Sequence, residues 1–309
     1  KAFVFPGQGA QYVGMAKDFY DTYEEAREVF TLAGEVTGLD MATLIFQENE
    51  QLHVTKYTQI AMLATEVAMW KVLDGKGIKA DVCAGLSLGE YGALAVSSVM
   101  ELPDLFRIIR KRGIYMQEAY PTGGAMMAVL GGDAALIEEV CKETEGIVSI
   151  ANYNCPGQIV ITGEEVAVAA AAEKLSAAGA KRCVALKVSG PFHSQMLTGA
   201  GEKLGEVLKD MDIQDIKVPY IANVTADYVT EKEQVKDLLT KQVSSSVRWQ
   251  QTVERMIADG VDTFIEIGPG KTLSGFMKKI TKDLGCECNV FNVEKWDDIA
   301  AVVEGVSAC

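Results

Sequence analysis

Histidine is nearly absent: His53 and His193 are the only two in 309 residues. A reaction that needs an imidazole base is therefore restricted to two positions. His53 reads as surface packing or loop. Cysteine is sparse and odd in number, seven in all, and only Cys286 and Cys288 lie close together. That spacing gives neither a zinc-ligand set nor a disulfide framework, so no metal is expected and the thiols read as reduced, in a cytoplasmic setting. Cys83 and Cys183 read as small core residues. No apolar run is long enough to span a membrane. Positive charge is in deficit: 29 Lys and Arg against 43 Asp and Glu leave a net charge of −14. That argues against nucleic-acid binding, and an acidic partner would require a local basic patch.

What is present is a full globular composition, 49% hydrophobic and 23% charged, typical of a soluble enzyme. The length fits one large domain or two modest ones. Ala2-Phe3-Val4-Phe5 reads as a core strand rather than a leader, because Pro6 and Gly7 interrupt it. The stretch Val82-Cys83-Ala84-Gly85-Leu86-Ser87-Leu88-Gly89-Glu90-Tyr91 reads as strand, sharp turn, helix. Gly85 and Gly89 would allow the strand and helix to crowd together, exposing the Ser87 hydroxyl as a nucleophile. The N–H groups that follow would face an oxyanion. The plainer alternative is a Gly-Ser turn with Ser87 as a helix N-cap.

In chain order, Pro6-Gly7-Gln8-Gly9-Ala10-Gln11 is either a strand-to-helix turn or a second source of oxyanion donors. Thr22 and Glu25 form a capping-box pattern before a helix reaching about Ala33. Thr58 to Leu73 is apolar nearly all round and predicts a buried helix. Gln59 at its start is either a cap or a group facing a cleft. The helix Leu105 to Ala119 carries Arg107, Arg110, Lys111 and Arg112. Most of such a run faces solvent, but one arginine turned inward would grip a carboxylate through two parallel bonds.

After Pro121-Thr122-Gly123-Gly124 the order of elements is β-α-β-β-α-β, the split βαβ pattern of a ferredoxin-like unit. Residues 122–190 are therefore expected to be an inserted small domain. Ser189-Gly190-Pro191-Phe192-His193-Ser194 crosses back into a large domain built from 1–121 and 191–309. There, alternating strands and helices imply an α/β fold with a mostly parallel sheet.

Phe5-Pro6-Gly7-Gln8-Gly9-Ala10-Gln11, Gly85-Leu86-Ser87-Leu88-Gly89-Glu90, Arg112-Gly113, Asn152 to Gln158, Pro191-Phe192-His193-Ser194 and Glu266 to Lys271 stand in order along the chain. Together they resemble the malonyl-CoA:acyl carrier protein transacylase family of bacterial fatty acid synthesis, over essentially the whole chain. The resemblance implies an α/β-hydrolase-like large domain and a ping-pong reaction through a malonyl-serine. Ser87 would be the nucleophile and His193 its base. The main-chain carbonyl of Gln242 would orient the imidazole, in place of a triad carboxylate. The N–H groups of Gln8 and Leu88 would form the oxyanion hole. Arg112 would bind the malonyl carboxylate, and Gln59, Met116, Asn152 and Asn154 would line the cleft. Phe192 beside the base would disfavour an α-methyl branch. No cofactor is implied: the substrate is a coenzyme A thioester, and the acceptor is an acidic acyl carrier protein bearing phosphopantetheine. The family commonly has histidine where this chain has Leu86, so a hydrogen bond beside the nucleophile is lost.

Docking of the carrier is expected on Lys271, Lys278, Lys279 and Lys282, and on Lys181, Arg182 and Lys187. The same motifs also allow an acyltransferase of polyketide or other malonyl-carrier assembly. A serine thioesterase or hydrolase is a rival, though 116 residues follow His193 and no aspartate is singled out. A non-enzymatic acyl- or nucleotide-binding module is the remaining one.

Overall fold

The computed structural model describes residues 1–188 and 190–307; Ser189 of the return crossing and Cys309 lie outside the described residues. The chain begins with β1 (Ala2–Phe5), then α1 (Lys17–Thr22), α2 (Glu24–Thr37), α3 (Met41–Phe46) and the long α4 (Thr55–Gly75). Next come β2 (Val82–Gly85), α5 (Glu90–Ser97) and α6 (Leu102–Ala119). A second group follows: β3 (Gly124–Leu130), α7 (Ala134–Glu143), β4 (Val148–Cys155), β5 (Gln158–Glu164), α8 (Glu165–Ala177) and β6 (Arg182–Ala185). The chain closes with α9 (Thr198–Lys209), β7 (Ile221–Ala222), β8 (Asp227–Tyr228), α10 (Glu233–Gln242), α11 (Trp249–Ala258), β9 (Thr263–Ile267), α12 (Thr272–Leu284), β10 (Asn289–Val293) and α13 (Asp298–Ser307).

The first sheet has the order β10-β9-β1-β2, and every pairing in it is parallel. Alternate side chains enter opposite cores, as the two-residue period of a strand requires. Phe3, Phe5, Cys83, Ile265 and Ile267 join the helices on one face, while Ala2, Val4, Val82, Ala84 and Phe264 pack with Trp249, Met277 and Ile280 on the other. Strands buried on both faces read as continuous apolar runs, and this is why they were legible in sequence. The N-terminal strand is central, with Phe5 opposite Gly85, so the loop after β1 lies beside the turn after β2.

The second sheet has the order β4-β5-β3-β6 and is antiparallel throughout. One face packs with α7 and α8 through Val129, Ile150, Ile159 and Ile161. Residues of the other parity, Met126, Ala128 and Val160, turn toward the first unit. The segment after α10 joins the edge of β4: Val247 donates to the Ala151 carbonyl at 2.8 Å and accepts from the Tyr153 N–H at 2.9 Å.

α4 is buried along nearly its whole length, including Gln59 and Glu66. α6 crosses it closely, because a Cβ on Gly113 would lie 3.1 Å from the Lys56 Cα and the Thr55 carbonyl. The Thr22–Glu25 capping box does not form. Thr22 ends α1, and extended Tyr23 precedes α2 with no side-chain cap. Its ring packs on Phe19 at 6.1 Å, so aromatic packing marks the break instead. α2 then continues past Ala33 to Thr37 and ends at left-handed Gly38. Among the described residues no helix is long and apolar enough to cross a membrane, and no group of three or more His, Cys, Asp or Glu is placed to hold a metal.

Candidate active site

The carboxyl ends of β1 and β2 open into a cleft whose opposite wall is the antiparallel sheet. Open α/β sheets place ligands at such strand ends. The turn after β2 is crowded. A Cβ on Gly85 would sit 2.0 Å from the Gly89 carbonyl, and one on Gly89 would sit 2.2 Å from the Phe5 carbonyl oxygen. Only glycine fits either position. Ser87 is held between them in the left-handed region, φ 56°. Its hydroxyl caps no helix, which removes the N-cap alternative. Instead Ser87 Oγ lies 2.7 Å from His193 Nε2, 106 residues away in sequence.

His193 is also left-handed, φ 61°. Non-glycine residues there cost about 1–3 kcal/mol each and persist only where their surroundings enforce them. The imidazole Nδ1 lies 2.9 Å from the Gln242 carbonyl and 3.1 Å from the Ser245 carbonyl. Both are pure acceptors, so Nδ1 carries the proton and Nε2 is free to accept from the Ser87 hydroxyl. Burial lowers the His193 pKa to about 4, and the Arg112 charge adds to the shift. The ring is neutral at physiological pH.

Arg112 is fully buried, brought there by its place on the apolar face of α6 with Ile108, Ile109 and Met116. Nη1 donates to Gln59 Oε1 at 2.8 Å, and Nη2 donates to Gln242 Oε1 at 3.0 Å and to Ser87 Oγ at 3.1 Å. The guanidinium lies 5.5 Å from the Tyr91 ring centroid. Burial pulls its pKa down. Among the described residues its Nε has no partner, and none of its hydrogen-bond partners is a carboxylate. Glu90 acts on it only at a distance, so a buried cation with no carboxylate hydrogen-bonded to it suits an anionic ligand.

Gln8, Leu88, Gln59, Met116, Asn152, Asn154 and Phe192 all line this cleft, together with Leu86 and Phe276. The Gln8 side chain is anchored to Thr55 Oγ1 at 3.0 Å, and Gln59 Nε2 lies 3.4 Å from Met116 Sδ. Asn154 Oδ1 is buried with no partner among the described residues. Of the other basic residues on α6, Arg107 pairs with Asp104 and Arg110 donates to the Lys56 carbonyl. His53 is exposed, 3.4 Å from Gln11 Nε2, and has no part in the cleft.

Sequence reasoning passed over Asn223, Glu90 and Ser245. Asn223 is fully buried and grips both sides of the elbow: Oδ1 accepts from the Ser87 N–H at 2.7 Å, and Nδ2 donates to the Gly85 carbonyl at 2.6 Å. The available signal was a lone polar side chain at the end of the apolar run Tyr220-Ile221-Ala222. For Glu90 the signal was an acid opening an otherwise apolar helix.

The family model of the acyl transferase domain matches residues 2–295, and the chain belongs to that family. Within it, the chain is 46% identical to the malonyl CoA-acyl carrier protein transacylase of Bacillus subtilis over 288 residues, which cover 92% of this chain and 91% of that protein. The solved malonyl CoA-acyl carrier protein transacylase of Clostridium perfringens superposes with a TM-score of 0.95 at 43% identity, covering 99% of this chain and 97% of that one. A type II PKS acyl-carrier protein in complex with its malonyl-transacylase matches with a TM-score of 0.94 at 38% identity, covering 98% of this chain and 99% of that chain.

Proposed function

We infer that the protein transfers the malonyl group of malonyl-CoA to the phosphopantetheine thiol of an acyl carrier protein, for fatty acid synthesis, through a malonyl ester of Ser87. The observation that carries the reading is Arg112: a buried cation without a carboxylate partner, 3.1 Å from the nucleophile oxygen. The relatives named above support the acyl group and the carrier.

In the first half-reaction, His193 Nε2 takes the Ser87 proton as Oγ attacks the thioester carbonyl. The N–H groups of Gln8 and Leu88 receive the oxyanion. Collapse breaks the C–S bond, and the imidazolium returns the proton to the departing coenzyme A sulfur. The second half-reaction runs the same steps in reverse with the carrier thiol as nucleophile. The two thioesters are similar in energy, so the relay needs no driving force. Peptide carbonyls on Nδ1 orient the imidazole without adding a full charge.

Arg112 would exchange its contact with Ser87 Oγ for the malonyl carboxylate. An acetyl group offers no such partner and leaves the cation unpaired. Gln59, Met116, Asn152 and Asn154 would shape the cleft around the acyl chain, and Phe192 would crowd an α-methyl branch. We read residues 122–190 as an inserted ferredoxin-like domain covering the acyl-serine against water, because its strands run 2-3-1-4 in order. The remainder, 1–121 and 191–309, is read as α/β-hydrolase-like. The setting is cytoplasmic, with neither a metal nor a cofactor required. Intact-mass measurement tests the reading: malonyl-CoA should add one malonyl group to the protein, and none to Ser87→Ala. Steady hydrolysis of malonyl-CoA without an acceptor thiol would overturn it in favour of a thioesterase.

A further inference from the structure

Glu90 opens α5 immediately after the elbow and is fully buried. Burying a carboxyl group is costly where it lacks partners, and among the described residues Glu90 Oε1 has none. Its Oε2 accepts from the Asn223 main-chain N–H at 3.0 Å and from Gln242 Nε2 at 2.7 Å. Each donor belongs to a residue that holds a different part of the site.

Asn223 clamps the elbow from both sides, as described above. Gln242 does more. Its Nε2 also donates to the Ser87 carbonyl at 2.9 Å, its Oε1 accepts from Arg112, and its main-chain carbonyl accepts from His193. The amide is oriented by its surroundings: Nε2 faces acceptors and Oε1 faces a group that only donates. Turning it over would set an oxygen against the Glu90 carboxylate and an NH2 against the Arg112 fork. We propose that Glu90 is a positioning residue for acyl transfer, holding the Ser87 elbow, the Arg112 fork and the carbonyl that orients His193 in one register through Asn223 and Gln242. This rests on the reading of Ser87 as the nucleophile.

Burial raises the Glu90 carboxyl to about 7, opposed by its bonds to Asn223 and Gln242 and by the Arg112 charge. The ionised form accepts from both donors most strongly. Arg112 on α6, Gln242 on α10, Tyr220 before β7 and the neighbouring Tyr91 face it. Glu66 of α4 reaches Gly92 nearby, and neither of its oxygens has a partner among the described residues. Loosening the network lowers kcat as pH falls through neutrality, well separated from the His193 ionisation.

The test is Glu90→Leu, with Glu66→Gln as the control, both checked for folding by circular dichroism. Both donors meet Oε2, and Oε1 has no partner among the described residues, so a glutamine would keep both bonds through its amide oxygen, whereas leucine, of similar size, removes the acceptor. A misplacement of about an ångström costs on the order of 10²-fold in rate, so kcat for malonyl transfer should fall by that much, with KM for malonyl-CoA less affected. The near-neutral limb of the pH profile should disappear in Glu90→Leu and persist in Glu66→Gln. A Glu90→Leu kcat within about threefold of wild type, or a retained limb, would overturn the proposal. Should that variant not fold, Glu90→Asp keeps the charge with a carboxylate one methylene short. It should lose kcat with the limb displaced, and an unchanged kcat would again be decisive against positioning. If the wild type fails to carry a malonyl group on Ser87, it is the underlying reading that fails.

Discussion

At the scale of single residues, the proposed chemistry rests on a buried neutral imidazole and a buried guanidinium. His193 is neutral because it is buried and beside a cation, with its pKa lowered to about 4. Its free-enzyme limb in kcat/KM for malonyl-CoA should therefore lie near pH 4, below the ordinary histidine range of about 6.5. A limb near 6.5 that persists when Glu90 is replaced by leucine would show that burial does not govern the proposed base. The same shift acts on stability. The folded state resists protonation, so the neutral ring's contribution is complete above the unfolded pKa and is lost as pH falls toward about 4. Arg112 is the other group. Arg112→Ala should lose the preference for malonyl-CoA over acetyl-CoA, because nothing then remains for the carboxylate to meet. Competition kinetics with the two thioesters would measure this, and undiminished selectivity would remove Arg112 from its role.

At the scale of elements, the elbow is the element with least tolerance. Gly85→Ala places a methyl group 2.0 Å from the main chain of Gly89, where no side chain can yield. Overpacking of this kind costs about 3 kcal/mol or more, to be read as a lowered urea midpoint. The elbow was also the element most legible in sequence, because glycine spacing around a serine reports a steric need directly. The capping box at Thr22 was misread for the opposite reason. A four-residue pattern is local, and ring packing by Tyr23 overrode it. The carbonyls of Gln242 and Ser245 left no trace as residue types, since every residue has a carbonyl. Gln242 was reached through family resemblance, and Ser245 was not reached at all. Arg112 was one of four basic residues on its helix, and the 108–109–112–116 apolar spacing separates it from the others.

At the scale of the whole molecule, the two sheets meet over one cleft that gathers residues from the start, middle and end of the chain. Their order in sequence gave the α/β class, while the mutual approach of Ser87 and His193 depends on long-range packing that no window contains. The net charge of −14 makes the exposed Lys278, Lys279 and Lys282 on α12 notable. Lys279 Nζ lies 3.4 Å from Gln158 Oε1, at the junction of α12 with the antiparallel sheet and the cleft. If an acidic carrier docks there, Lys278→Glu with Lys279→Glu should raise KM for the carrier and flatten its salt dependence. Malonylation of Ser87 by malonyl-CoA should proceed as before. An unaltered carrier KM would move the docking surface to Lys181, Arg182 and Lys187.

The seam at Val247 has a mechanical corollary. This short segment is stitched into β4 by two main-chain bonds while its neighbour Ser245 grips the imidazole. A displacement of the antiparallel sheet would therefore pull on the Ser245 carbonyl that holds Nδ1. Should Ser87 carry the proposed malonyl ester, such a swing would leave Nδ1 on the Gln242 carbonyl alone, a looser base at the moment water could enter.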